Sequence, residues 1–427
     1  MRVLHVNSTS HTGGAARAMQ RLHGALLKQG HESQFLVGRT RFAEDPSVHT
    51  IWDEIESYRS LRSSIKSRIG NQLEKLIGLH RWANEPNLRI VDTSLIQWAD
   101  IIDLRNLFGG FFNLWVLPRL SANKAVVWRL PDLWAMTGHC AYPYDCERWK
   151  TGCYCCPLLT KDGRKKVEPT PTILDGTRLV WNSKKRIYAK SKLHIVVTTK
   201  WMKKQVSESI LKDALSVNVI SNGVDLEVFK PTDKKEARDK LNLPQSQKIV
   251  LWAAGGKGNY RKGYHLTIQA LETIQARTEN PPLLVTMGGE EGWDKLDSLR
   301  NILHFGYIRE PERQALIYSA VDAFICSTLA DGQPQTALES LACGTPVIAF
   351  DLGPMPELVF PSITGYLAST PTKEGLMDSI EEFLRDRNNW IKMQENCRKI
   401  ALQEYNLEKQ TQMYIDLYKT LIVNDGK

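Results

Sequence analysis

No apolar run reaches the ~18 residues that a membrane-spanning helix needs, so no transmembrane segment is expected. The opening MRVLHVN lacks the long apolar core and small-residue cleavage site of a signal peptide, which predicts a cytoplasmic protein. Zinc-finger and RNP-type signatures are missing, and this argues against nucleic acid as a partner. The full dinucleotide fingerprint is missing too: Gly13-Gly14 follow the first strand-like run without the rest of the motif, so alone they also fit a tight turn. No cluster of carboxylates of the divalent-metal type is visible, and no internal sequence repeat.

What is present fits a soluble globular chain. About a quarter of the residues are charged, and aromatics are not scarce. A length of 427 residues is too much for one ordinary core, so two domains are expected. The net charge of +9 and a pI near 9.0 favour anionic partners: nucleic acid, anionic lipid or a phosphorylated substrate. Of eight cysteines, five crowd into Cys140–Cys156. In a reducing compartment such a cluster suits a metal site or packed thiols better than a disulfide framework.

The chain opens as strand, loop, helix, strand, the start of a doubly wound α/β domain. Residues 55–80 change character. Leu61, Ile65, Ile69, Leu73 and Leu76 alternate with Arg59, Arg62, Lys66, Arg68 and Lys75, a basic amphipathic helix suited to an anionic membrane surface or to packing on its own domain. SLIQWADIIDLRN and KAVVWRLPD read as strands. After NGVD (222–225) and a polar stretch the α/β rhythm restarts, with strand candidates KIVLWAAGG, PLLVTMGG, ILHFGYI, VDAFICST and PVIAFD. The expected domains are 1–222, with a Cys-rich insertion at 139–157, and 223–404, followed by a C-terminal helix at 405–427. Two doubly wound domains facing a cleft would place ligands at the carboxyl ends of their strands.

In DGQPQTALESLACGTPVIAF (331–350), Pro334 suits a helix start and Gly344 its end. Backbone N–H groups near Gln335 and Thr336 would then face an anion. Asp331 and Glu339 flank that start, which suggests a ligand with a phosphate and several hydroxyls. Glu339 can accept two hydrogen bonds from a vicinal diol such as a ribose. Gly255-Gly256-Lys257 ends one strand, Arg261-Lys262-Gly263 opens a helix, and Gly306-Tyr307-Ile308 ends another strand. Lys257, Arg261 and Lys262 would supply cations for a diphosphate.

The order NGVD, RKG (261–263), FGYI (305–308) and an acidic residue eight positions before Glu339 resembles the family-4 glycosyltransferases of the GT-B fold. The resemblance is densest over 195–365. It implies an α/β GT-B architecture, with the last helix crossing back to the N-terminal domain. It also implies a retaining, metal-independent transfer of a hexosyl group from a UDP- or GDP-sugar. Carried over by position, Glu339 would hold the ribose. Asp331 and the backbone of Gly332, Gln333 and Pro334 would hold the sugar ring. Lys257 and Lys262 would neutralise the departing diphosphate, and backbone near Gly306–Ile308 would meet the base. Asp331 stands where the family carries Glu, and Lys257 where it carries Arg.

The first half is similar to the colanic-acid-type branch of polysaccharide synthesis, through VVWRLPDLWAMTGHC (126–140), Cys146, Gly152-Cys153 and Cys156-Pro157. That branch shows His before Asp132, where this chain has Pro131, and His139 is the nearby substitute for this donor-sugar contact. Asp103-Leu104-Arg105 replaces a His-Leu-His. Gly13, Gly14, Arg17 and the basic helix would hold a saccharide or lipid-linked acceptor at the inner membrane face. Cys140, Cys146, Cys153 and Cys156 can form a four-thiolate structural zinc site; packed thiols and a disulfide are the alternatives. Two other functions fit the same fold: a nucleotide-sugar epimerase, and a non-catalytic nucleotide-sugar-binding subunit.

Overall fold

The apolar runs AVVWR, IVLWA, AFIC and VIAF are strands, and each pairs only with parallel neighbours. Side chains on both faces of such strands are buried, which is why the runs do not alternate with polar residues. The structure is a computed structural model. It describes residues 1–10, 13–39, 45–54, 87–108, 111–159, 174–253, 260–289, 299–386 and 389–425. The basic segment 55–80 lies wholly outside these residues, and Gly255, Gly256 and Lys257 do as well.

The chain divides into two units, one of Met1–Ser221 with Glu408–Lys427 and one of Asn222–Leu407. The first holds strands β1 (Arg2–Thr9), β2 (Glu32–Arg39), β3 (Val48–Thr50), β4 (Ile101–Leu104), β5 (Ala125–Arg129), β6 (His194–Val197) and β7 (Ser216–Val219), in the order β3-β2-β1-β4-β5-β6-β7. The second holds β8 (Ile249–Ala253), β9 (Leu283–Met287), β10 (Ile302–His304), β11 (Ala323–Cys326), β12 (Val347–Phe350) and β13 (Gly365–Ala368), in the order β10-β9-β8-β11-β12-β13. Both sheets are doubly wound. The strand order reverses between β1 and β4 in one and between β8 and β11 in the other. Ligands bind at such reversal points, outside the carboxyl ends of the strands.

One strand expectation fails in part. SLIQW turns as a short helix, Ser94–Trp98, and the strand begins only at Ile101. Leu95, Ile96 and Ala99 bury at helical spacing, and Asp100 is held by the backbone N–H and guanidinium of Arg2.

The helices that matter below are α1 (Gly14–Lys28), α2 (Thr177–Tyr188), α3 (Tyr264–Arg277) and α4 (Gln335–Ala342). The C-terminal helix, Leu407–Asp425, packs into the first unit. Its Tyr414, Ile415, Tyr418 and Leu421 join Val3, Ile101, Val127 and Val196 in one apolar cluster.

A polar cluster is buried within the first unit. Cross-strand pairing sets His5 of β1 opposite Asp103 of β4. His5 Nδ1 lies 2.6 Å from the Asp103 carboxylate, and Arg105 Nε donates to the same oxygen at 2.7 Å. Arg105 stands 5.4 Å from the Tyr414 ring centroid. Arg129, Tyr414 and Tyr418 are buried beside them. Burial alone would push the Asp103 carboxyl up, but Arg105 and His5 hold it below its ordinary value. Burial pulls His5 down, toward the neutral form.

Candidate active site

The second unit gathers its candidate residues at the β8–β11 reversal. Past the end of β11, Ser327 Oγ accepts from Trp252 Nε1 at 3.1 Å and Thr267 Oγ1 at 2.8 Å, and donates to the Lys262 carbonyl at 3.0 Å. Gly263 precedes α3 with φ 66°. A Cβ there would lie 1.8 Å from the Ser327 carbonyl oxygen. The glycine of RKG is therefore what lets this loop lie against β11. Gly263→Ala is expected to destabilise the protein by about 2–4 kcal/mol, the sum of left-handed strain and overpacking. Urea denaturation checks this, and a loss under ~0.5 kcal/mol would show that the loop moves freely away from Ser327.

Held this way, both cations of RKG reach one carboxylate. Arg261 donates to the Ala330 carbonyl and to Asp331 Oδ2, each at 2.8 Å. Lys262 Nζ donates to the same Asp331 oxygen at 2.7 Å. Burial would raise the Asp331 carboxyl, but Lys262 and then Arg261 hold it well below the usual carboxylate range. Asp331 is thus an acceptor of hydrogen bonds and not a proton donor near neutral pH.

Pro334 caps the start of α4 with its backbone, and no side chain caps that end. Gln335 and Glu339 lie one turn apart on this helix, both buried. Gln333 Oε1 accepts the Asn222 backbone N–H at 2.8 Å. That bond ties the NGVD and DGQPQ motifs together and commits the Gln333 side chain to a neighbour within the protein. Gly332 is buried next to it. Gly306 takes φ 70°, and its carbonyl accepts from Gly288 N–H at 2.7 Å. The Ile308 carbonyl accepts from Gln314 at 2.7 Å. Tyr307 between them is 54 % exposed.

The first-unit candidates lie on the segments after β1 and β5. Gly13 takes φ 88° and starts α1, and open space surrounds the Cα of both Gly13 and Gly14. Asp132 accepts the Trp134 N–H at 2.9 Å in the loop after β5. His139 is buried and lines a small apolar-walled pocket with Cys140, Cys146, Cys153 and Cys156.

The zinc expectation finds no support at this pocket. Among the described residues no group of three or more His, Cys, Asp or Glu side chains is arranged to hold a metal ion. All eight cysteines are free thiols, and no disulfide joins them. Cys153 Sγ accepts the Gly138 N–H at 3.1 Å, and burial pushes its thiol up to about 11. Cys140 and Cys156 are raised by burial as well.

Helix α2 has no counterpart in the sequence reading. Its Trp181, Lys184 and Tyr188 share one face and grip the chain between 134 and 149. Trp181 Nε1 donates to the Trp149 carbonyl at 2.8 Å, and Tyr188 Oη to the Ala135 carbonyl at 2.9 Å. Lys184 Nζ donates to the carbonyls of Trp134 at 2.5 Å and Thr137 at 2.9 Å. Burial pulls Lys184 down to about 7. The i, i+3, i+7 spacing of large side chains was the available signal. It marks a packed face, and only the fold shows that this face works through hydrogen bonds.

Comparison with known proteins adds three findings. Residues 233–404 match the family model "Glycosyl transferases group 1". The D-inositol 3-phosphate glycosyltransferase of Corynebacterium urealyticum is 25% identical over 53% of this chain and 56% of its own length, so the chain spans about half of that relative. WcaC of Escherichia coli K12, assigned to colanic acid biosynthesis as a glycosyl transferase, is 22% identical over 82% of this chain and 83% of its own. Among solved structures, Anabaena Alr3699/HepE in complex with UDP-glucose superposes with a TM-score of 0.63 at 15% identity, over 98% of this chain and 100% of that one. No helix of the described residues is long and apolar enough to cross a membrane. The chain thus has the GT-B fold, and within its second unit residues 233–404 match a glycosyl transferases group 1 domain.

Proposed function

We propose that this protein is a retaining, metal-independent glycosyltransferase. It moves a hexose from a UDP- or GDP-sugar to a saccharide or lipid-linked acceptor in polysaccharide or glycolipid synthesis. The observation that carries this reading is the convergence of Arg261 and Lys262 on Asp331, beside the start of α4. Two protein cations next to a helix start suit a diphosphate. Glu339 on the same helix suits the ribose. The UDP-glucose complex of the Anabaena protein and the role assigned to WcaC point the same way.

In the proposed reaction the bond from the anomeric carbon to the diphosphate oxygen breaks. The acceptor hydroxyl oxygen bonds to that carbon from the same face, and its proton passes to the departing phosphate oxygen. Negative charge grows on the diphosphate, where Lys262 and Arg261 oppose it, with Lys257 as a third cation. Asp331, kept ionised, accepts hydrogen bonds from sugar hydroxyls once the diphosphate draws its cations away. The exposed Tyr307 offers a face to the base. The basic segment 55–80 supports work at the cytoplasmic face of a membrane.

The test is thermal stability of wild type and Glu339→Ala against UDP-, GDP- and ADP-sugars. A donor at ~100 times its Kd adds roughly 2.7 kcal/mol. One nucleotide is expected to stabilise wild type and not the variant. Equal stabilisation of both would remove Glu339 from the site, and no stabilisation of wild type by any of them would defeat the donor reading.

A further inference from the structure

The loops after β4 and β5 in the first unit bring two aromatic rings together. Phe108 follows β4 and is 39 % exposed. Trp134 follows β5 and keeps part of its surface exposed. Their centroids are 5.8 Å apart and their planes meet at 68°. They lie past the carboxyl ends of neighbouring strands, beside the β1–β4 reversal point.

Trp134 is also fixed. Lys184, fully buried, puts Nζ 3.8 Å from the ring centroid and donates to the Trp134 carbonyl. The Trp134 N–H is taken by Asp132. Burying an ammonium is costly unless its hydrogen bonds are met. Here that cost is offset by bonds that hold one loop and one ring. Trp134 also packs against the core of this unit, so its ring is held from more than one side.

The geometry points to a saccharide subsite on the Phe108–Trp134 corner, where the C–H face of an acceptor hexopyranose stacks on one ring and its edge meets the other. A sugar ring has a C–H-rich face and a hydroxyl-rich rim, and an aromatic corner with one ring held in place near the Asp132 carboxylate matches both. This rests on the reading of the protein as a glycosyltransferase, since it names the acceptor side of that reaction. Lys184 is a positioning residue here: it touches the ring and not the sugar.

The experiment is saturation-transfer NMR with cellobiose, lactose and maltose at millimolar concentration, on wild type, Trp134→Ala and Phe108→Ala. Phe108 is exposed, so its truncation leaves the fold intact if that of Trp134 does not. Wild type is expected to show transfer concentrated on one ring face of at least one disaccharide, and each variant is expected to bind about tenfold more weakly. Equal binding by wild type and both variants would overturn the subsite. So would an absence of binding by wild type to all three sugars. Stabilisation by UDP or GDP, measured in parallel, reads the second unit alone. Its absence would defeat the donor reading while the saccharide result still decided the subsite.

Discussion

Under the proposed function, Lys262→Ala is expected to lower kcat for sugar transfer by about 10²- to 10³-fold, with a far smaller change in KM for the nucleotide sugar. The reason is where the charge appears. On the proposed reading a bound donor already carries its diphosphate charge, and Lys262 would help hold it. As the glycosidic bond breaks, further charge collects on the leaving oxygen. An ammonium placed there acts more strongly on the transition state than on the bound donor. Arg261 stays on Asp331 after the truncation, so the loop keeps one of its two ion pairs. Lys262→Arg preserves charge but changes reach and geometry, and recovers part of the rate. Initial rates of nucleotide release with a saccharide acceptor measure this. A Lys262→Ala enzyme with wild-type kcat would place the leaving group elsewhere.

Asp103→Ala destabilises the protein by about 3–5 kcal/mol, a large part of an ordinary domain's stability. Asp103 is fully buried and is the one carboxylate that the described contacts place against Arg105 and His5. Truncating it leaves the Arg105 charge in a dry interior without its counter-ion. Asp103→Asn keeps the shape and removes the charge, so comparing the two separates packing from electrostatics. Denaturant unfolding gives the values. A loss below about 1 kcal/mol for both variants would mean that water or relaxation rescues the arginine.

The same cluster sets a pH dependence. The folded His5 titrates below its ordinary 6.5, so as pH falls past 6.5 the unfolded chain takes up a proton that the folded chain refuses. Stability therefore declines with acid from that point. The Asp103 contribution is present above 3.8 and is lost only as pH falls through its lower folded value. The two act in the same direction over successive ranges.

The sequence carried the strands of both sheets well, because fully buried parallel strands announce themselves as short apolar runs. It also carried the residues of the RKG and DGQPQ segments. It did not show that Arg261 and Lys262 would both bond to Asp331, some seventy positions on. That meeting depends on β8 and β11 being neighbours, a property of strand order. Asp103-Leu104-Arg105 stood out only as a departure from a motif. Its burial beside His5 follows from cross-strand register, to which a local reading is blind. The cysteine spacing suits a zinc site, and the fold brings those four cysteines to one pocket without an arrangement that marks a metal site among the described residues. Helix α2 could be read from its i, i+3, i+7 spacing, but its hydrogen bonds to distant carbonyls leave no mark in that spacing.

The placement of the C-terminal helix has a consequence for biosynthesis. The ribosome finishes Ser221 and then makes the whole of Asn222–Leu407 before the helix that completes the first unit exists. At ordinary translation speeds that interval is roughly 10–40 s. Through it, Val3, Ile101 and Val127 and the arginines Arg105 and Arg129 lack Tyr414 and Tyr418 over them. The second unit, continuous in the chain, suffers no such wait. The half made first is thus the half finished last, and during synthesis its nascent sheet is the part most in need of a chaperone.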